Sequence, residues 1–145
     1  MAEQATQQIT VEATPERCFE VATDFERYPE WATDVKEATV VERDAEGRPL
    51  EVEFRAAAMG RSTRYQLRYD LAGAPRQMSW ALTHGDITKA IDGSYDFAPG
   101  AEPGTTDVTY RLSIELVVPL PGFVKRRAEV KILNTIKELK ARVEA

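Results

Sequence analysis

Residues 62–71 read STRYQLRYDL, in which Thr63, Tyr65, Leu67, Tyr69 and Leu71 alternate with Arg64, Gln66, Arg68 and Asp70. Side chains of a β-strand point to opposite faces in turn, so this period of two writes a strand with one apolar, tyrosine-bearing face and one charged face. The pattern repeats on the C-terminal side. QMSWALTH sets Met78, Trp80 and Leu82 on one face, AIDGSYDF sets Ile91, Tyr95 and Phe97, and DVTYRLSIELVV sets Val108, Tyr110, Leu112, Ile114, Leu116 and Val118. On the N-terminal side, PLEVEFRAAAM alternates Leu50, Val52, Phe54, Ala56 and Ala58 with Glu51, Glu53, Arg55 and Ala57. The turn AEGRP precedes it, and EATVVER supplies a shorter strand before that. Alternation and turn signals thus predict about six successive antiparallel strands, after a weakly alternating first strand from Gln8 to Ala13 around Ile9 and Val11.

Two helical segments flank this region. In ATPERCFEVATDF, Thr14 is placed to cap a helix, Pro15 occupies its first position, and Phe19, Val21, Ala22 and Phe25 recur at helical spacing, which predicts a helix from Pro15 to Asp24. A proline disfavours the α conformation in the residue before it, so Tyr28 is expected in a break at Pro29, with PEWATD forming a second short helical turn. At the other end PLPG stops the strand pattern, and a long helix is expected from Gly122 to Arg142. Its apolar stripe is Val124, Ala128, Ile132, Ile136, Leu139 and Val143. Lys125 and Glu129 lie beside that stripe, four residues apart, and read either as a weak solvated pair or as polar contacts at the mouth of a cavity.

The bulk numbers narrow the classes. A chain of 145 residues with 43% apolar and 30% charged residues has the size and composition of one ordinary globular domain, expected to span 1–145. The formal charge of −5 argues against broad nucleic-acid binding, which draws on a basic surface. A single cysteine, Cys18, excludes an intrachain disulfide and a cysteine-built zinc site, and we expect neither metal nor cofactor. MAEQATQQIT does not resemble a signal peptide, and no apolar run approaches the length of a membrane span, so a cytoplasmic protein is expected.

The predicted architecture is α+β: a curved antiparallel sheet of about seven strands wrapped around a long C-terminal helix, with two short helices after strand 1. One helix cannot fill a strongly curved sheet to its edges, which leaves room for an apolar cavity between them. Element order resembles the START-like, or helix-grip, superfamily, which includes the birch-pollen allergen fold, the polyketide cyclase/dehydrase family and the coenzyme Q-binding family. The most specific local matches are DFERYPEW with DV shortly after, and GSYDFAPG followed by TTDVTYRLSIEL. The resemblance implies a cavity for lipids, sterols, quinones, polyketides or plant hormones. Carried over by position, its lining would come from Phe54, Ala56, Tyr65, Leu67, Tyr69 and Trp80, continuing with Leu82, Tyr95, Tyr110 and Leu112, and with Phe123 and Ile132 from the helix. Each of these is equally suited to plain core packing on a half-buried sheet.

No recognisable catalytic set stands in the chain. Cys18 lies within a short helix with no histidine near it, and the only histidine, His84, reads as a turn residue in THGDI between two strands. PGAEPG is a hairpin loop without the strand-to-helix setting of a phosphate cradle. Asp24, Glu26, Glu30 and Asp34 read as a solvated acidic surface, and Arg55, Arg64, Arg68 and Arg111 all fall on the outward phase of their strands. The favoured function is therefore binding or transport of a hydrophobic small molecule. An aromatase/cyclase or dehydrase is the alternative within the same resemblance. A third reading is a toxin of a toxin–antitoxin pair acting on ribosome assembly, since related bacterial proteins carry a YPEW-type motif; it would rest on the basic run VKRRAEVK, Val124 to Lys131. Under these readings a protein partner would be an antitoxin or a biosynthetic enzyme. Tyr28 and Trp31 are expected to pack the bend against the open end of the sheet, with Trp31 a gate to any cavity.

Overall fold

Strand alternation becomes a single sheet. The computed structural model describes residues 3–58, 61–117 and 134–145. Its strands are β1 (Glu3–Val11), β2 (Val35–Arg43), β3 (Pro49–Ala58), β4 (Arg61–Asp70), β5 (Gln77–Gly85), β6 (Thr88–Pro99) and β7 (Thr106–Leu116). Helix α1 (Pro15–Thr23) and a 3-10 helix (Phe25–Glu30) follow β1, and residues 134–144 form the described part of the C-terminal helix, α2. Strand order across the sheet is β1-β7-β6-β5-β4-β3-β2, every pair antiparallel. From β2 to β7 each strand pairs with the next, and β1 adds on the far side of β7. This is the helix-grip arrangement that the sequence predicts.

Register shifts between β2 and β3, at Gln66/Leu67 of β4 and at Thr88/Ala90 of β6 put extra residues into one strand of a pair. Such bulges bend the strand and increase its twist, which lets the sheet curl. At the hairpin before β3, Gly47 takes φ of +84°, a left-handed conformation that glycine adopts without strain, and Asp44 closes the turn by accepting from the Glu46 and Arg48 backbone N–H groups.

α1 begins as its sequence dictates. Thr14 Oγ1 accepts from the Arg17 N–H at 3.2 Å and Pro15 takes the first helical position, while Cys18, Val21 and Ala22 turn inward. The expected break at Tyr28 is corrected. The chain leaves the α conformation at Asp24, with φ −84° and ψ 67°, and the following 3-10 helix runs through Tyr28 with Pro29 inside it. Proline is tolerated there because the local bonds Arg27 N–H to Asp24, Trp31 N–H to Tyr28 and Ala32 N–H to Tyr28 carry the turn without needing a donor at position 29. The first strand also starts earlier than Gln8 and stops at Val11.

The described part of α2 keeps the predicted stripe: Ile136, Leu139 and Val143 are buried. Phe123, Val124, Lys125, Ala128, Glu129, Ile132 and the run 124–131 lie outside the described residues. Four side chains bolt the helix end to both flanks. Lys140 Nζ donates to the Thr10 carbonyl at 2.9 Å and Glu144 accepts from the Glu12 N–H at 2.8 Å, while Glu138 accepts from the Thr33 N–H at 3.1 Å and Arg142 pairs with Glu30 at 2.8 Å. α2 thus joins the end of β1 to the segment between the 3-10 helix and β2.

Candidate ligand-binding interior

The inward phase of each strand falls as its alternation predicts. Val52, Phe54 and Ala56 of β3, Leu67 and Tyr69 of β4, Met78 and Trp80 of β5, and Tyr95 and Tyr110 of β6 and β7 are buried, while Tyr65, Leu82 and Leu112 are half-buried. The aromatic members touch in sequence. Trp31 stands 4.7 Å from Tyr28 between ring centroids, Tyr28 5.3 Å from Phe25, Phe25 4.4 Å from Tyr69, Tyr69 5.8 Å from Trp80, and Trp80 5.4 Å from Tyr95. Tyr95 stacks on Tyr110 at 4.9 Å, and Phe54 branches from this series against Phe25 and Tyr65. Both tryptophans and all five tyrosines of the chain belong to this one network.

Trp80 depends on a gap in the neighbouring strand. It pairs in register with Gly93 of β6, and a Cβ at position 93 would lie 2.4 Å from the indole. Only a residue without a side chain lets the ring lie across β6, which turns the centre of the sheet into a flat aromatic wall.

The phenols are the polar element of the interior. Tyr28 donates its hydroxyl to the Ala22 carbonyl, which ties the 3-10 helix back to α1, and Tyr110 shares a side-chain hydrogen bond with Thr135 of α2. Among the described residues, the hydroxyls of Tyr65, Tyr69 and Tyr95 have no hydrogen-bond partner, although Tyr69 is only 6% and Tyr95 only 3% exposed. Among the described residues, the side-chain oxygen that is fully shut in without a partner is Thr88 Oγ1. Burial pushes Tyr28, Tyr69, Tyr95 and Tyr110 well above the ordinary phenol range, and the proximity of the phenols to one another adds to it. Tyr65 keeps part of its surface open, yet burial pushes it up to about 12, with the Asp34 carboxylate adding to the shift. Every tyrosine therefore stays protonated at physiological pH and acts as a neutral donor.

No charged side chain sits on the described inner faces of β3 to β7. Four arginines of these strands point outward and are matched: Arg55 with Glu37 at 2.9 Å, Arg64 with Glu53 at 3.2 Å, Arg68 with Glu42 at 3.2 Å and Arg111 with Asp96 at 2.6 Å. Asp24, Glu26 and Glu30 are exposed and Asp34 half-buried, in keeping with an acidic surface. His84 is corrected from a turn to a strand residue. The bulge at Gln66/Leu67 carries β4–β5 pairing on to Gly85, so His84 pairs with Gln66 and is exposed. Cys18 is fully buried, and burial raises its thiol pKa, which fits a packing role. Among the described residues there is no cluster of three or more metal-ligating side chains, and no helix is long and apolar enough to cross a membrane.

Phe25 and Tyr28 were not assigned to the lining from sequence, yet they join the rim residue Trp31 to Tyr69. The signal was available: three aromatics within DFERYPEW, spaced three apart, share one side of a tight helical segment. Phe123 and Ile132 lie outside the described residues.

A family model described as polyketide cyclase/dehydrase and lipid transport matches residues 2–144. No curated protein matches the chain. Among solved structures, a START superfamily protein from Mycobacterium smegmatis is 25% identical with a TM-score of 0.88, over 97% of each chain. A Thermus thermophilus protein is 24% identical with a TM-score of 0.78, over 97% of this chain and 96% of its own. An aromatase/cyclase from Streptomyces sp. R1128 is 13% identical with a TM-score of 0.81, over 99% of this chain and 94% of its own.

Proposed function

From the premise that this chain belongs to the polyketide cyclase/dehydrase and lipid-transport family, we propose that it binds or carries a hydrophobic small molecule between its sheet and its C-terminal helix, as one START-like domain of residues 1–145. The observation that carries this reading is the pair of buried phenols, Tyr69 and Tyr95, whose hydroxyls find no partner among the described residues. A hydroxyl held in an apolar interior without a hydrogen bond is costly, and a bound molecule that supplies an acceptor removes the cost. Trp31, half-buried and stacked on Tyr28, is the gate residue in this reading.

The aromatase/cyclase alternative draws support from the Streptomyces neighbour and from phenols that remain protonated and aimed inward. It also needs a group to accept a proton, and the buried polar side chains of the described strands are the phenols together with Thr63, Thr88 and Thr106. A ribosome-directed toxin would need an unmatched basic surface, for which the sequence offers the run 124–131 outside the described residues, while Arg55, Arg64, Arg68 and Arg111 are matched with carboxylates.

Native mass spectrometry of protein purified without added ligand tests the reading, with a co-purified small molecule as the expected result. In parallel, Trp80→Ala is expected to weaken binding of a fluorescent lipid while the protein still unfolds cooperatively. A ligand-free protein that binds no fluorescent lipid in either form would overturn the carrier.

A further inference from the structure

Resting on the carrier reading, we infer that Glu138 and Arg142 of α2 latch residues 29–33, with Trp31 at their centre, against the rim of the interior. Release of this latch sets how fast a ligand enters and leaves.

The end of α2 is tethered on two flanks, and Trp31 lies on one of them. At about 100° per residue, Glu138 and Arg142 fall on one side of the buried Ile136, Leu139 and Val143 stripe, and Lys140 and Glu144 on the other. On the first side Glu138 accepts from the Thr33 N–H at 3.1 Å and from the Thr33 hydroxyl, and Arg142 pairs with Glu30 at 2.8 Å. Trp31 stands between those two points in the chain, half-buried against Tyr28. On the second side Lys140 and Glu144 hold the Thr10 carbonyl and the Glu12 N–H, at the end of β1 and just after it.

Residues 29–33 form one unit between two anchors. Tyr28 is pinned by its hydroxyl on the Ala22 carbonyl and by ring contacts with Phe25 and Phe54, and beyond the span the Asp34 carbonyl accepts from the Ala57 N–H of β3 at 2.8 Å. Between these anchors the backbone closes on itself, as the Ala32 N–H donates to the Tyr28 carbonyl and the Val35 N–H to the Ala32 carbonyl. Among the described residues, the polar contacts that fasten the span to α2 are Glu138 on Thr33 and Arg142 on Glu30. A hydrogen bond to a half-buried carboxylate outweighs a solvent-screened ion pair, which makes Glu138 the stronger member. Burial raises the Tyr95 phenol, and the neighbouring phenols and the Glu138 charge add to it, which places the latch beside the interior.

Amide hydrogen exchange by NMR and stopped-flow binding of cis-parinaric acid, a fluorescent lipid, test this on Glu138→Ala, Arg142→Ala and, from the opposite flank, Lys140→Ala. Urea unfolding verifies that each variant keeps the fold. Exchange is read at the Ala32 and Val35 N–H groups, whose acceptors no variant touches. In Glu138→Ala we expect both amides to exchange about tenfold faster, and the association and dissociation rates of the acid to rise together by about tenfold, which leaves its affinity unchanged. Glu138→Gln, which keeps one acceptor oxygen, should fall between that variant and the parent. Arg142→Ala should give a smaller rise of the same kind and Lys140→Ala none. Parental exchange in Glu138→Ala overturns the latch whether or not the acid binds, as does an equal acceleration in Lys140→Ala, which would report loosening of the whole helix end. Parental binding rates alongside faster exchange overturn its control of entry. If exchange quickens but no form binds the acid, the carrier reading fails and the latch stands.

Discussion

The two faces of one sheet follow opposite rules. On the outer face of β3 to β7, arginines and carboxylates from neighbouring strands form matched pairs in water, as Arg111 does with Asp96 and Arg64 with Glu53. Along the inner face, one residue away in sequence each time, charge is absent among the described residues and rings touch from Trp31 to Tyr110. Exposed ion pairs contribute little because water screens both partners, whereas buried rings lose water on every side. The outer face therefore keeps the sheet soluble and in register, while the inner face holds both most of the stability and the candidate site. A ligand site built from the core itself ties function to folding more closely than a surface cleft would.

The largest contrast should appear in alkali. A phenol whose folded pKa is raised contributes stability that is complete below the unfolded value of about 10 and is lost as pH rises toward the folded value. All five tyrosines are raised, Tyr65 to about 12 and the other four well above 10. Absorbance at 295 nm should thus show almost no phenolate at pH 10.5, then a cooperative rise that coincides with loss of the fold by circular dichroism. A tyrosine titrating independently near pH 10 would break the picture of a single cluster.

Next in size is Phe25→Ala. Phe25 is almost wholly buried and contacts Tyr28, Phe54 and Tyr69, so the cavity left behind should cost about 3–5 kcal/mol in urea unfolding. Gly93→Ala adds only one methyl group, but it strikes the indole of Trp80, and a loss of about 1–3 kcal/mol with a shifted tryptophan emission is expected. Unchanged emission would place Trp80 elsewhere. Smallest is Arg111→Ala on the outer face, which should cost about 0–1 kcal/mol and less in high salt. A larger loss there would erase the distinction between the faces.

Much of this was legible in the sequence. The period of two in STRYQLRYDL assigned Thr63, Leu67, Tyr69 and Leu71 to the buried side, and the capping threonine and proline placed the start of α1. Polar residues hid the first half of β1: Glu3 to Gln7 carry no apolar alternation beyond Ala5, and what makes them a strand is pairing with β7, more than a hundred residues away. Pro29 misled because a rule for α-helices does not govern a short 3-10 helix, whose bonds skip that residue. His84 was misplaced because a bulge lengthened β5, and bulges leave little trace in composition. As for the site, alternation said which tyrosines face inward but not that all five would meet, since that depends on curvature. Nor could it tell which hydroxyls would go unpartnered.

The pairing of β1 with β7 sets the order in which the molecule can be assembled. Glu3 aligns with Ile114 and Val11 with Thr106, and Glu144 then reaches back to the Glu12 N–H. During synthesis the strands from β2 to β6 can pair as neighbours emerge, but β1 must wait for β7, its only partner in the sheet. Contacts so distant along the chain are slow to form, and meanwhile the aromatic face has no helix to cover it. The nascent chain thus passes through an interval of exposed rings that ends only when the C-terminal helix docks, which makes late folding, rather than the finished protein, the stage most prone to aggregation.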